Sequence, residues 1–133
     1  MARIVLDTGV VSLYRTGRLP AHVAHRVAAN EPSITFATAG ESWKWAVTRR
    51  WGGARRGCLE ALLDQALILP ASLKVAKVWG ELAAGSQRRG RPRPLRDTWI
   101  AACCIEGGLP LLTLNRRDFA DFADHDGLVL LGI

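Results

Sequence analysis

The sequence predicts a three-layer α/β/α domain built on a central parallel sheet of about five strands. Short apolar runs alternate with longer helical patterns along the chain, which is typical of α/β proteins. The runs are short and almost wholly apolar, as expected for strands that are covered on both faces in a parallel sheet. With 133 residues, 49% hydrophobic and 23% charged, residues 1–133 fit one globular domain. The order of the strands does not follow from the sequence.

The first half of the chain contains three predicted strands and four predicted helices. The helical spacing of Val23 and Val27 supports the second helix, and Gly52-Gly53 ends the third. Pro70 follows the third strand directly. In order, the predicted elements are a strand over 3–6, helices over 8–14 and 20–29, a strand over 33–36, helices over 38–51 and 54–66, and a strand over 67–69.

The second half contains three predicted helices and two predicted strands. Ser72 is a suitable N-cap for a helix that ends near residue 86 and carries Val75 and Leu82 on one face. Residues 87–95 include two prolines and Gly90, which predicts an exposed loop. The remaining elements are a helix over 97–106 that ends at Gly107-Gly108, a strand over 111–113, a helix over 115–122 and a strand over 128–131.

Composition points to a cytoplasmic protein without a membrane span. Charges or prolines interrupt every long apolar stretch, and the N-terminus enters a strand without a signal-peptide pattern. The three cysteines, Cys58, Cys103 and Cys104, fit neither a disulfide framework nor a zinc site. We interpret them as small core residues of a protein in a reducing compartment.

The net charge of +6 is concentrated in two groups of arginines. Basic residues around an acidic site suggest a polyanion held by its phosphates. The alternative is that these arginines are solvated loop residues. The candidates for contacts with nucleic-acid phosphates are Arg49 and Arg50, with Arg55 and Arg56 nearby, and Arg88, Arg89, Arg91, Arg93 and Arg96.

Four polar residues lie next to predicted strands or at the start of a helix. Asp7 follows the first strand, Glu41 follows the second, Asp97 precedes an apolar helix, and Asn115 follows the fourth strand. Ligand sites of parallel α/β sheets lie at the carboxyl ends of the strands. Three carboxylates and an amide collected there would repel one another unless a hard divalent cation neutralised them. The pattern therefore predicts a metal-dependent enzyme that acts on phosphate.

Each acid also has a simpler structural interpretation. Asp7 could cap the next helix, or it could be the nucleophile of a phosphatase, although that class needs a second acid where this chain has Gly9. Glu41 could belong to a capping box with Thr38. Asp97 fits the start of a helix, where the macrodipole would lower its pKa and favour the ionised form.

The spacing of Asn115 and Asp118 is also typical of a helix cap. The two residues lie one helical turn apart, so both could face the same site.

Four segments together carry a family resemblance. They are Leu6-Asp7-Thr8, Ala39-Gly40-Glu41, Arg96-Asp97-Thr98-Trp99-Ile100-Ala101-Ala102 and Leu112-Thr113-Leu114-Asn115-Arg116-Arg117-Asp118-Phe119. In this order they resemble the PIN-domain ribonucleases of the VapC type, the toxins of bacterial type II toxin–antitoxin pairs. The resemblance covers essentially the whole chain and implies a PIN-like α/β/α domain that hydrolyses RNA phosphodiester bonds.

The resemblance also implies roles for individual residues. Asp7, Glu41 and Asp97 would hold Mg²⁺ or Mn²⁺, with Asn115 as the fourth catalytic position. Many relatives have an acid at that position, so Asp118 is the alternative for the fourth role. Two hydroxyl residues, Thr8 and Thr113, would line the site.

Two partners besides RNA follow from the resemblance. Relatives act as homodimers and are silenced by a cognate VapB-like antitoxin, whose C-terminal segment occupies the groove of the toxin. The competing hypothesis is a PIN-fold module with an incomplete site, which binds RNA or a partner without cleavage. The sequence does not specify which RNA is bound, because contacts to phosphates carry no sequence code.

Overall fold

A parallel five-stranded sheet lies at the centre of the computed structural model, which describes residues 2–131. Its strands are β1 (Arg3–Leu6), β2 (Glu31–Thr35), β3 (Leu67–Leu69), β4 (Leu111–Leu112) and β5 (Leu130–Leu131). The strand order is β3-β2-β1-β4-β5, and every neighbouring pair is parallel. Along the chain, β2 and β3 are therefore added on one side of β1, and β4 and β5 are added on the other side of β1.

Seven α-helices within residues 2–131 complete the fold. They are α1 (Thr8–Arg15), α2 (Ala21–Ala28), α3 (Phe36–Thr48), α4 (Gly53–Gln65), α5 (Leu73–Arg88), α6 (Leu95–Gly107) and α7 (Arg116–His125). Among the same residues, no helix has the length and apolar character needed to cross a membrane.

The two faces of the sheet are covered by separate hydrophobic cores. Side chains alternate along a strand, so Val5 packs with residues of α5, α6 and α7 on one face. Ile4 and Leu6 pack with α1 and α2 on the other. Helices on both faces of a parallel sheet confirm the predicted three-layer α/β/α class.

Several helix ends follow the sequence signals. The Ser72 hydroxyl accepts a hydrogen bond from the Val75 N–H at 3.1 Å, as expected for the N-cap of α5. Gly108 ends α6 in the left-handed region, with φ of 64°, where a side chain would be strained.

Other boundaries differ from the predictions. Phe36 belongs to α3 instead of β2, because Thr35 caps this helix by accepting from the Thr38 N–H. The predicted loop over 87–95 is shorter, since α5 continues to Arg88 and α6 begins at Leu95 directly after Pro94. Asp97 therefore lies inside the first turn of α6 and does not open the helix.

The prediction that the cysteines are core residues is correct for two of the three. Cys103 and Cys104 are buried in the core beneath α6. Cys58 is exposed, because α4 buries Leu59 and turns the preceding residue to solvent. Its interpretation as a core residue is wrong.

Candidate active site

Asp7 and Thr113 lie side by side where β1 and β4 end. The two strands are neighbours, and the Asp7 N–H donates to the Leu112 carbonyl at 3.2 Å. Here the strand order switches from one side of β1 to the other. Ligands of open α/β sheets bind at such a switch point. The strand order thus brings together two residues that are far apart in the sequence.

The Asp7 carboxylate is almost fully buried, with 4% of the residue exposed. One oxygen, Oδ1, accepts from the Val10 N–H at 2.8 Å and caps α1. The other, Oδ2, accepts from the Thr113 hydroxyl. Burial raises the pKa of Asp7, although these two hydrogen bonds oppose the shift. No Lys, Arg or His in residues 2–131 forms an ion pair with it.

Asp7 faces a small cavity that also contains Asp97. The volume of the cavity is about 20 Å³, which is room for about one water-sized occupant. The negative charge of Asp97 is close enough to contribute to the raised pKa of Asp7. The lining consists of Asp7, Thr8, Gly9, Arg96, Asp97, Ile100, Asn115, Asp118 and Phe119.

Asn115 and Asp118 enter this cavity from the start of α7. Asn115 occupies the N-cap position of α7, but its side chain makes no capping hydrogen bond. Its backbone N–H donates to the Thr113 hydroxyl at 2.9 Å. A Cβ placed on Gly9 would lie 3.7 Å from Asp7 Oδ1 and 3.9 Å from Asn115 Nδ2, so both side chains converge on this glycine. The amide of Asn115 is therefore free of a helix-capping role.

Glu41 does not line the cavity and is connected to it through Arg96. Arg96 Nη1 donates to Glu41 Oε1 at 2.5 Å, and Arg96 Nε donates to Asp97 Oδ1 at 3.0 Å. The capping-box interpretation of Glu41 is wrong, since α3 is capped by Thr35. Burial alone would lower the pKa of Arg96, but its bonds to Glu41 and Asp97 raise it overall.

The pKa of Asp97 is shifted in the direction opposite to the prediction. The expectation that the helix start lowers its pKa is wrong, because burial raises the pKa by more than the interactions with Arg96 lower it. Nearby Asp118 and Glu41 raise it further. Asp97 and Asp7 are therefore two desolvated carboxylates facing one cavity.

Within residues 2–131, no group of three or more Asp, Glu, His or Cys side chains is arranged to hold a metal ion directly. The structure brings Asp7, Asp97, Asn115 and Asp118 to one cavity, and it joins Glu41 to Asp97 through a guanidinium. The convergence of Asp7, Glu41 and Asp97 on one cation stays a prediction.

Two features of this region were missed by the sequence reasoning. The hydroxyl of Thr8, which lines the cavity, lies 3.1 Å from the Thr38 hydroxyl, and the two form a buried hydrogen bond. Arg96, which the sequence groups with the candidate RNA-binding arginines, lies among the carboxylates instead. The position of Arg96 directly before Asp97 in the sequence was the signal that could have indicated this contact.

The remaining arginines of the segment after α5 have different environments. Arg89 pairs with Asp121 at 2.6 Å and with Asp126 at 3.3 Å. Arg91 and Arg93 line a second cavity of about 480 Å³ together with Arg117, a residue that the sequence reasoning did not select. The Arg93 Nε is buried without a hydrogen-bond partner in residues 2–131. Arg88 is exposed.

The second arginine group packs against tryptophans of α3 and the turn after it. The Arg49 guanidinium lies 4.9 Å from the centre of the Trp45 ring. Trp51 lies beneath both Arg15 and Arg55, at 4.5 and 4.9 Å. Arg50 is exposed and has a positive φ of 51°. RNA binding by this group stays a prediction.

Comparison with known proteins identifies the family of this fold and site. Residues 4–125 match the family model of the PIN domain. The chain belongs to the PIN-domain family and is of the VapC type. Ribonuclease VapC5 of Mycobacterium tuberculosis (strain ATCC 25618 / H37Rv) is 31% identical over 125 residues, which cover 92% of this chain and 87% of that protein.

Solved structures of VapBC proteins share the fold of this PIN domain. A chain of VapBC-1 from nontypeable Haemophilus influenzae superposes with a TM-score of 0.81 at 24% identity, covering 98% of this chain and 97% of that one. A chain of VapBC-5 from Mycobacterium tuberculosis gives a TM-score of 0.75 at 23% identity, and all of both chains is covered. The predicted family and fold class are therefore confirmed.

Proposed function

We propose that the protein is a metal-dependent endoribonuclease and the toxin of a type II toxin–antitoxin pair. The observation that carries this proposal is the buried Asp7 carboxylate, which faces the same ion-sized cavity as Asp97 and forms no ion pair in residues 2–131. Buried charges in proteins are normally paired or bound to a metal. The relationship to a protein named Ribonuclease VapC5 supports the choice of RNA as the substrate.

The donor atoms fit a hard divalent cation such as Mg²⁺ or Mn²⁺. Asp7, Asp97 and Asn115, whose side chains carry carboxylate or amide oxygens, line the cavity, and Mg²⁺ favours oxygen ligands from one or two carboxylates while it keeps several waters. A bound cation would supply charge stabilisation for a scissile phosphate and a more acidic water as nucleophile. In this proposal Glu41 joins the set, and either Asn115 or Asp118 fills the fourth position.

Neighbouring residues would hold the carboxylates in position. The Thr113 hydroxyl donates to Asp7 and accepts from the Asn115 N–H, so it fixes both residues relative to each other. Thr8 lines the cavity at the start of α1. These contacts orient oxygen ligands before a cation binds, which reduces the cost of assembling the site.

Flanking phosphates of the RNA would contact arginines whose guanidinium groups are not already paired. Arg91, Arg93 and Arg117 line one cavity, and Arg117 directly precedes Asp118, which lines the carboxylate cavity. Arg88, Arg49 and Arg50 are exposed and complete the candidate surface. Arg89 and Arg96 are weaker candidates, because each is engaged by two carboxylates.

We also propose a VapB-like antitoxin and a second copy of the chain as protein partners. The structural neighbour VapBC-5 is a member of the VapBC family of toxin–antitoxin systems, which supports the first partner. An apolar surface cavity of about 560 Å³ between α1, β2 and α4 could accept apolar residues of an antitoxin segment. Tyr14, half exposed at its rim, is the aromatic contact that such a segment would cover.

Asp7→Asn tests the proposed activity. The variant keeps the size of the side chain but removes its charge, so we expect RNA cleavage in Mg²⁺ or Mn²⁺ to fall at least about a hundredfold. Cleavage of labelled RNA with and without EDTA measures the effect. Folding is checked by thermal melting in EDTA, where the melting temperature should be equal to or above that of the wild type, because a buried charge is removed.

Asp64→Asn is the matched control, since Asp64 is an exposed acid on α4 and its loss should leave cleavage unchanged. The binding-module hypothesis predicts a different pattern. Wild-type protein would then bind RNA without cleaving it in any divalent cation, and Asp7→Asn would bind it equally well.

A further inference from the structure

Arg96 places a positive charge among the carboxylates that the proposed function assigns to a metal. Its guanidinium contacts Glu41 Oε1 at 2.5 Å and Asp97 Oδ1 at 3.0 Å. Glu41 lies on α3, whereas Arg96 and Asp97 lie in the first turn of α6. One side chain therefore ties together two acids from different helices.

These contacts use the oxygen atoms that a cation would need. Arg96 also lines the small cavity into which Asp7 and Asp97 project. A guanidinium has five donors and accepts no hydrogen bond, so it satisfies carboxylates in the same manner as a metal ion but cannot supply metal chemistry.

Arg96 can leave this position more easily than the acids can. Its side chain is 40% exposed, compared with 18% for Glu41 and 3% for Asp97. A long side chain with this exposure can rotate toward solvent, whereas the two carboxylates are on shorter and less exposed side chains. Arg96 is thus the member of the cluster that is most open to solvent.

We propose that Arg96 is a resident counter-ion that neutralises Glu41 and Asp97 in the metal-free protein and is displaced when a divalent cation binds. This inference rests on the proposed metal-dependent function. Arg96 acts as a positioning residue with two opposite effects. It stabilises the metal-free fold by compensating buried acids, and it weakens metal binding by competing for their oxygens and repelling the cation.

Arg96→Gln separates these two effects without an activity measurement. We expect Mn²⁺ to bind the variant about tenfold more tightly than the wild type, because two part-exposed ion pairs no longer compete with the metal. In EDTA the variant should melt at a lower temperature than the wild type. The rise in melting temperature on addition of Mn²⁺ should be larger for the variant. Titration calorimetry and thermal melting measure these quantities in the absence of RNA.

Arg89→Gln is the matched control, since it removes the same charge from an arginine that also bridges two carboxylates. Its melting temperature should fall in EDTA and in Mn²⁺ alike, with unchanged Mn²⁺ affinity. Arg96→Lys keeps the charge but cannot contact two acids in the geometry of a guanidinium fork. We expect the Mn²⁺ affinity of Arg96→Lys to lie between those of the wild type and Arg96→Gln. If Arg96→Gln does not fold, Arg96→Lys is used in its place.

Unchanged or weaker Mn²⁺ binding by Arg96→Gln, with a wild type that binds Mn²⁺, would overturn this inference alone. Arg96 would then be a permanent brace for the metal ligands. Failure of every variant and of the wild type to bind Mn²⁺ would instead overturn the metal-dependent function together with the inference. The two failures are therefore distinguishable.

Discussion

Two arginines from one segment of the chain, Arg89 and Arg96, each bridge two carboxylates in different surroundings. Arg89 connects the end of α5 to Asp121 on α7 and to Asp126 just after it. Arg96 connects Glu41 on α3 to Asp97 on α6 at the carboxyl edge of the sheet. The local chemistry is the same in both places, and the pairs differ in what else faces them.

The electrostatic balance of the two clusters separates a structural ion pair from a candidate functional one. Hydrogen bonds from Arg89 lower the pKa of Asp121, so that carboxylate is well compensated. Burial raises the pKa of Asp97 in spite of Arg96, and Asp7 faces the same cavity without an ion pair in residues 2–131. Incomplete compensation of buried acids is typical of functional sites, and it distinguishes the Arg96 cluster.

The largest effect in this comparison is expected from Thr113→Val, which removes support from the site and keeps the side-chain shape. The Thr113 hydroxyl donates to Asp7 and accepts from the Asn115 N–H. Since partners of metal ligands typically contribute a factor of about 10–100 to affinity or activity, we expect cleavage to fall about tenfold. The pKa of Asp7 should rise further without this donor, so the acid limb of the pH–rate profile should move to higher pH.

Thr98→Val is the control for the loss of a buried hydroxyl. Thr98 donates to the Pro94 carbonyl at 2.9 Å and does not line the cavity. Its removal should lower stability without a shift in the pH–rate profile. Equal cleavage rates for Thr113→Val and wild type would mean that Asp7 needs no support from this hydroxyl.

The layer architecture was predictable because it depends on patterns along the chain. Apolar runs and helical spacing identified all the strands and helices, and Ser72 and Gly107-Gly108 marked helix ends through local conformational preferences. The boundary at Phe36 was missed, since Thr35 and Thr38 both resemble cap residues and only the folded backbone decides between them. Strand order depends on contacts between distant segments, which a single sequence does not specify.

The sequence selected four polar residues that line the candidate cavity, Asp7, Asp97, Asn115 and Asp118, but it predicted neither the position of Glu41 nor the place of Arg96 among the carboxylates. The placement of Asp7 and Asn115 after strands follows from the geometry of parallel sheets. The raised pKa of Asp97 depends on burial by residues from several elements, so the rule for helix starts gave the wrong direction. The bridge from Arg96 to Glu41 spans 55 positions of sequence, and no local pattern could reveal it.

A smaller effect, confined to stability, is expected from Arg89→Gln as the pH changes. The pKa of Asp121 lies below its ordinary value of 3.8 because of hydrogen bonds from Arg89. An acid whose pKa is lower in the folded than in the unfolded protein stabilises the fold at pH values above its unfolded-state pKa. This stabilisation is lost as the pH falls through the folded-state pKa. The variant should therefore melt below the wild type at pH 7, and the gap should narrow as the pH falls below about 4. Thermal melts across this range measure the gap, and a constant gap would show that the ion pair contributes nothing.

The smallest effect concerns arginines that have no carboxylate partner in residues 2–131, and it is measured as a salt dependence. In an Asp7→Asn background, we expect a triple alanine variant to show a reduced salt sensitivity of RNA binding. The variant replaces Arg88, Arg91 and Arg93. For every phosphate that the variant no longer binds, the log–log slope should become shallower by about 0.7 for single-stranded RNA, because fewer counterions are released. Preference among RNAs should stay the same, since phosphates carry no sequence code.

Arg89→Gln in the same Asp7→Asn background makes this test specific to unpaired arginines. Its guanidinium is already bound by Asp121 and Asp126, so its removal should leave the slope of RNA binding unchanged. A slope that changes as much for Arg89→Gln as for one residue of the triple variant would mean that RNA competes with these carboxylates for Arg89. The ion pair would then open on binding, and Arg89 would resemble Arg96 in exchanging its partner for a ligand.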